Sequence, residues 1–344
     1  MKAVTFQGAG NVEVRDVDEP ALKDPTDVIV RVTASAICGT DLHVYHGRIP
    51  MPATGWVLGH EYVGEIVETG EGVSSFKPGD RVVGAPFSSC GECDDCLRGW
   101  PSQCLKQLHF GTFMLAGAQA EYVRVPFGGY TLVLVPGALS DEQAILAGDV
   151  LSTGYFAAER GDIKPGDSVV VVGSGPVGLA AQMSARLFDP RTVIAIDSVP
   201  ERLELARRIG SEPVNLASDD AIAFVRERTG GRGAEVVLEA VGREDALRSC
   251  FLYVRPAGTI SAVGVYSEPE FPFPMFKAYL QDLTFRIGGC PVRAYMPKVL
   301  GLIEEGKLDP TVILTHTLPL AEAARAYEMF AERRDGCVKV VLKP

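Results

Sequence analysis

From Ser168 the chain runs Val169-Val170-Val171-Val172 without a polar residue between the valines. A strand with one solvated face alternates in polarity, so an unbroken apolar run belongs to a sheet covered on both faces, and such sheets are parallel ones crossed by helices. The run leads into Gly173-Ser174-Gly175-Pro176-Val177-Gly178, and Leu179 to Leu187 then reads as a helix. Further strands follow at Thr192 to Asp197, Pro213 to Asn215, Glu235 to Glu239, Thr259 to Val263 and Thr284 to Gly289. Helices at Pro200 to Ile209, Ala221 to Thr229 and Arg243 to Phe251 fit between them. Six strands alternating with helices predict an α/β fold, a doubly wound parallel nucleotide-binding sheet over 150–290.

The glycine run supplies its own chemistry. Following a buried strand and opening a helix, Gly173, Gly175 and Gly178, with Pro176 and Val177 between them, allow a sharp turn and the close approach of a pyrophosphate to free helix N–H groups. Asp197 ends the second strand, 19 residues beyond Gly178. A carboxylate there accepts bonds from ribose hydroxyls and repels a 2′-phosphate, which favours NAD over NADP. Ser198 and Arg202 are residue types that NADP users place near this point. Charge repulsion against a dianion nevertheless outweighs one flexible guanidinium, so Arg202 is expected as a further cofactor contact.

Residues 1–149 are different in kind, with short β-type runs at Val28 to Thr33, Tyr62 to Glu68, Arg81 to Gly84 and Ala120 to Val125, punctuated by Gly and Pro. They predict an antiparallel, partly barrel-like domain whose loops carry the unusual residues. Cys90, Cys93, Cys96 and Cys104 share one polar loop in the spacing C-x2-C-x2-C-x7-C. Four thiolates from one loop close a tetrahedron around a structural zinc; an iron–sulfur cluster is the competing reading, although its bacterial motif has a shorter last gap. Elsewhere His60 and Glu61 sit among apolar residues and glycines in Gly55-Trp56-Val57-Leu58-Gly59-His60-Glu61-Tyr62-Val63-Gly64, and Cys38 lies 22 residues upstream of His60. Two loops of a β domain can bring such residues to one ion, and a catalytic zinc takes three protein ligands and an open fourth position.

Together these motifs, in this order over essentially the whole chain, resemble the zinc-containing alcohol dehydrogenases of the medium-chain dehydrogenase/reductase family. The resemblance implies a GroES-like β-rich catalytic domain, 1–149 with 291–344, and a Rossmann NAD-binding domain, 150–290. It also implies two zinc ions per subunit, with Asp149 as the third ligand of a catalytic zinc beside Cys38 and His60. Many members carry cysteine at that point, the formaldehyde-dehydrogenase branch aspartate and the polyol branch glutamate; a helix N-cap before Ser152 is the alternative role for Asp149. Glu61 would act near the metal, either by swinging onto it or through a contact behind the ligands. A zinc ion there would make a coordinated alcohol acidic near neutral pH, and Thr40 with His43 resemble the family's proton relay, the alternative for Thr40 being turn chemistry. Lys339 aligns with a basic residue that binds pyrophosphate, and Gly39 stands where some members carry Arg.

The expected reaction is reversible hydride transfer between primary or secondary alcohols and NAD, giving aldehydes or ketones. A polyol, threonine or formaldehyde dehydrogenase is the alternative, since an acidic residue at position 149 occurs there. A catalytically silent binding protein is disfavoured by the intact Cys38, Thr40, His43 and His60. Trp56, Phe87, Phe110, Phe113, Met114 and Leu115 are candidate pocket walls. A net charge of −11 over 344 residues argues against a nucleic-acid partner, since phosphate binding relies on an excess of Lys and Arg. Neither a secretory core after Met1 nor a bilayer-length apolar run is present, which predicts a cytoplasmic enzyme with no membrane partner and with its eight cysteines reduced or metal-bound. A homotetramer is the expected assembly.

Overall fold

The structure is a computed structural model that describes residues 1–49, 51 and 53–344. The chain divides into two compact units, Met1–Asp149 with Pro291–Pro344, and Val150–Cys290. No helix among the described residues is long and apolar enough to cross a membrane.

The first unit is built on a seven-stranded sheet whose longest member is Val28–Ile37. Glu61–Thr69 pairs with that strand antiparallel on one side, placing Glu61 opposite Ala36; Val340–Lys343 pairs antiparallel on the other, placing Val340 opposite Ile37. Tyr122–Val125 adds to the first half of the same strand. Register shifts between Ile29 and Val30 and between Val32 and Ala34 bend the strand, as a bulge does where a sheet curls. One face packs Val28, Val30, Tyr62 and Phe110 into a core; a second core joins Val4, Ile37 and Leu58 to Tyr327 and Phe330 of the helix Ala323–Glu332. A hairpin the sequence reading did not include, Lys2–Gly8 with Asn11–Asp16, also carries Trp56–Val57.

The second unit is the six-stranded parallel sheet. In space its order is Glu212–Asn215, Thr192–Asp197, Ser168–Val172, Ala234–Glu239, Val254–Ala262, Thr284–Ile287. Every residue of Ser168–Val172 is buried, as its missing alternation requires. The chain order reverses between the first strand's two neighbours, so the crevice at the C-terminal ends of Ser168–Val172 and Ala234–Glu239 is where a ligand binds in this class of sheet. The fifth strand begins at Val254 rather than Thr259. It runs through Pro256 and Gly258 by means of a left-handed Ala257 (φ 60°), and its pairing slips between Ala234 and Val236. The helix Val150–Gly161 entered the sequence reading only as the alternative setting for Asp149 before Ser152; ten of its 12 residues are buried, Ser152 and Thr153 among them, so little polar face marks the 3.6-residue period.

Candidate functional site

The metal cluster of the first unit follows from strand directions. Because Val28–Ile37 runs antiparallel to both neighbours, its C-terminal end meets their N-terminal ends. Cys38 leaves the central strand where His60 and Glu61 enter one neighbour and Lys339 precedes the other. Asp149 arrives separately, at the end of the short turn Leu146–Gly148. The donor atoms of Cys38, His60, Glu61 and Asp149 all lie within 4.8 Å of one another. Asp149 Oδ2 is 3.6 Å from Cys38 Sγ and 3.3 Å from His60 Nε2.

These residues fit a divalent metal on two observations. Glu61 Oε1 is paired with Lys339, but Oε2 is buried with no hydrogen-bond partner among the described residues, an unmet acceptor at the cluster. The cluster is also electrically incomplete. Thiolate Cys38 with carboxylates Glu61 and Asp149 bring three negative charges and Lys339 one positive, a residue of two negative that a dication neutralises. In its absence burial pushes the Cys38 thiol up, and the charges of Asp149 and Glu61 push it further. Burial opposes protonation of His60, yet Asp41 and Asp149 outweigh it and hold the imidazole well above its usual range. Burial raises Glu61, with Lys339 pulling it back.

Asp41, which sequence reasoning passed over as part of a bend after Gly39, is the carboxylate behind His60. It occupies the third position of the helix Gly39–Tyr45, accepts the Cys38 backbone N–H at 2.9 Å through Oδ2, and lies 3.0 Å from His60 Nδ1 through Oδ1. An acid three residues into a helix whose cap is a suspected ligand is the signal that would have found it. Thr40 Oγ1 lies 4.0 Å from Cys38 Sγ. His43 is half-buried on the same short helix; burial, then the charges of Arg48 and His46, lower its pKa.

Lys339 needs a correction. Expected as a pyrophosphate contact, it is 0% exposed, and its Nζ lies 2.6 Å from Glu61 Oε1, itself 0% exposed. Its ammonium belongs to the metal cluster, because a cation this deep needs a buried anion beside it. The candidate pocket walls also separate. Phe110 and Leu115 are core, Phe113 and Met114 are exposed, and the Trp56 indole N–H donates to the Thr112 carbonyl at 2.6 Å.

The four loop cysteines converge as a second cluster. Their sulfurs lie within 4.8 Å, and the Cys104 and Cys90 sulfurs are 3.5 Å apart. Burial opposes ionisation of Cys90, but the backbone N–H groups of Glu92 and Cys93 outweigh it and draw the thiol down to about 7. Burial pushes the Cys96 and Cys104 thiols up, so Cys90 is the thiolate ready at neutral pH and those two would ionise on binding a cation.

In the second unit the glycine turn has the stereochemistry its sequence called for. A Cβ on Gly178 would stand 2.0 Å from the Gly173 carbonyl oxygen, so no larger residue fits that packing of helix on turn. Gly175 caps the helix Pro176–Arg186, which carries Val177 in its first turn. Asp197 is held rigidly: Oδ2 accepts from Ser174 N at 2.7 Å, and Oδ1 from Ser198 N at 2.7 Å and Val199 N at 3.0 Å. The Arg202 guanidinium stands 3.9 Å from Asp197 Oδ2 and beside Gly175. The sequence reading missed Glu239 as more than a strand end. Fully buried, it accepts from Val241 N (2.7 Å), Gly242 N (2.8 Å) and Tyr266 Oη (2.5 Å), tying together the loops after two adjacent strands. Val241 in turn packs against Gly173 of the glycine turn.

Residues 24–137 match the family described as alcohol dehydrogenase GroES-like domain, and 176–305 match zinc-binding dehydrogenase. A solved structure of an alcohol dehydrogenase from Thermus sp. ATN1 superposes with a TM-score of 0.95 at 44% identity, covering 100% of this chain and 99% of that one. A zinc-type alcohol dehydrogenase B from Aspergillus flavus is 41% identical over 96% of this chain and 78% of its own length. An uncharacterized zinc-type alcohol dehydrogenase-like protein from Bacillus subtilis is 39% identical over the full length of both.

Proposed function

Since the chain belongs to the zinc-containing alcohol dehydrogenases of the medium-chain dehydrogenase/reductase family, we propose that it interconverts primary and secondary alcohols with aldehydes and ketones, using NAD and two zinc ions per subunit. The observation that carries this reading is the convergence of Cys38, His60, Glu61 and Asp149 within 4.8 Å. Cys38, His60 and Asp149 would hold the catalytic ion, and Cys90, Cys93, Cys96 and Cys104 the structural one. A zinc ion at the first cluster supplies Lewis acidity, drawing density from a substrate oxygen so that its proton becomes acidic near neutral pH.

The chain's own residues do the rest. Asp41 keeps a proton on His60 Nδ1, which leaves Nε2 unprotonated toward the cluster. Thr40 Oγ1, beside the Cys38 sulfur, would take the substrate hydroxyl proton while releasing its own toward solvent. His43, kept unprotonated by burial and by its basic neighbours, would receive that proton and pass it on to solvent. Asp197 favours NAD through the fixed negative charge it presents at the ribose end of the turn, with Arg202 alongside. The cytoplasm remains the expected compartment. A homotetramer remains the expected assembly; Phe276 and Tyr279 of the helix Met275–Leu280, 76% and 80% exposed, support self-association without fixing the number of subunits.

The experiment is NADH formation with a panel of primary, secondary and cyclic alcohols, sorbitol, threonine, and formaldehyde with and without glutathione, alongside metal counting on Asp149→Ala. The reading expects activity on simple alcohols and loss of one zinc in the variant. Activity confined to a polyol, threonine or formaldehyde moves the enzyme to a specialist branch, and retention of both ions in Asp149→Ala removes Asp149 from the ligand set.

A further inference from the structure

Behind Asp41 lies a chain of buried polar groups that the proposed reaction does not use. Gln119 and Tyr327 are both 0% exposed and come from segments remote from each other and from the ligands. Tyr327 Oη donates to Gln119 Oε1 at 2.8 Å. Gln119 Nε2 donates to Asp41 Oδ2 at 3.3 Å and to the Ala36 carbonyl at 3.2 Å.

The chemistry of an amide fixes the sense of this chain. A glutamine has one acceptor end and one donor end, and a carboxylate can accept but not donate. With Asp41 and a carbonyl on one side, the NH2 must face them, and the oxygen must then face Tyr327. Burial raises the Tyr327 pKa far above neutrality, and the Asp41 charge adds to it, so the phenol keeps the proton it donates. Asp41 Oδ2 thus receives two N–H groups, from Cys38 and Gln119, and Oδ1 is left for His60 Nδ1. Each link determines the next, ending at the imidazole nitrogen that faces Cys38 and Asp149.

The Gly-His-Glu motif is shaped to admit this chain. Gly59 has φ +90°, and a Cβ there would lie 2.3 Å from Gln119 Cγ. The Gln119 side chain therefore crosses directly over the residue before His60. The main chains are locked as well, with Gln119 N donating to Leu58 O at 2.9 Å and Ala118 N to Gly59 O at 2.9 Å.

We propose that Gln119, oriented by Tyr327, is a positioning residue of the catalytic metal centre, fixing Asp41 and through it the tautomer and angle of His60. The inference rests on the reading of Cys38, His60 and Asp149 as zinc ligands. It is tested on the holoenzyme with Gln119→Met, Tyr327→Phe and the double variant, by counting zinc per subunit under graded chelator competition and recording the visible spectrum after cobalt(II) substitution. Contacts behind a metal's ligands are worth about 10–100-fold in affinity, and Gln119 acts one step further out, so Gln119→Met should weaken retention of the chelator-labile ion on the order of tenfold and shift the cobalt spectrum. Tyr327→Phe should weaken it a few-fold. Because Tyr327 acts only through Gln119, the double variant should hold metal no worse than Gln119→Met alone.

A purely structural role predicts otherwise. Gln119→Met would lower the melting temperature by stranding the Tyr327 hydroxyl, the double variant would recover it, and metal affinity and the cobalt spectrum would not move; that result overturns the proposal. A parent enzyme that holds zinc only on its four loop cysteines overturns the zinc reading itself, and this inference with it.

Discussion

Lys339→Met keeps most of the lysine stem and deletes its ammonium, leaving Glu61 buried in an ion pair with one member. Across 2.6 Å the gross attraction at an effective dielectric of ~20 is on the order of 6 kcal/mol. The net loss is smaller, because an abandoned carboxylate can take up a proton. Bringing Glu61 from its ordinary value of 4.5 to a neutral form at pH 7 costs about 3.4 kcal/mol at ~1.36 kcal/mol per unit, which caps the penalty. That figure lies within the ~3–5 kcal/mol expected when one partner of a buried pair is removed.

The sign with pH follows. Burial raises Glu61 in the folded state; in the variant the stronger of the two cations that pull it back, Lys339, is gone, and only His60 remains. The variant therefore keeps its stability below the unfolded value of 4.5 and loses it as pH rises, so the penalty shrinks to about 0.7 kcal/mol at pH 5. Urea unfolding of chelator-treated protein at pH 5 and pH 7 measures it. Both tryptophans, Trp56 and Trp100, belong to the first unit and report on it alone. Glu61→Gln combined with Lys339→Met should recover most of the loss. Equal penalties at the two pH values, or a double variant as unstable as Lys339→Met, would refute the reasoning.

Asp197→Gly removes the charge that faces a 2′-phosphate and leaves Arg202 in place, so the ratio of kcat/KM for NAD over NADP should fall by about tenfold or more; an unaltered ratio withdraws Asp197 from cofactor choice. Glu239→Gln places an NH2 where the carboxylate now accepts from Val241, Gly242 and Tyr266, stranding at least one donor at ~1–3 kcal/mol. The loops beside the glycine turn should loosen, raising KM for NAD about tenfold with kcat little changed. A variant with parental KM and a lower kcat would place Glu239 in the chemistry instead.

What the sequence disclosed and what it concealed have physical causes. Parallel strands were legible because burial on both faces erases alternation, and Ser168–Val172 has no other reading. The same near-uniform burial blurs the helix Val150–Gly161, where Ser152 and Thr153 are buried beside the apolar residues and so mark no solvent face. The four cysteines announce themselves by local spacing. Cys38 and His60 meet only through strand order and Asp149 joins them from a separate turn, so the resemblance, not the spacing, named Asp149. Asp41 is marked only by its place three residues after Cys38, and Gln119 and Tyr327 carry no local mark, because their meaning lies in hydrogen bonds spanning 78 and 208 positions. Lys339 was assigned by alignment with a basic residue; its burial depends on a pairing 278 positions away.

That last separation bears on how the protein is made. The second unit is one continuous segment, whereas the first is interrupted by it. During synthesis on the ribosome, residues 150–290 emerge and can fold before Val340–Lys343 exists to pair with Val28–Ile37. Until then the metal cluster stands open along one flank, with Glu61 lacking its counter-ion. Pairings this distant in sequence form late. The nascent chain thus has a folded dinucleotide unit before it has a finished metal centre, and any ion captured early is held by a site that has yet to close.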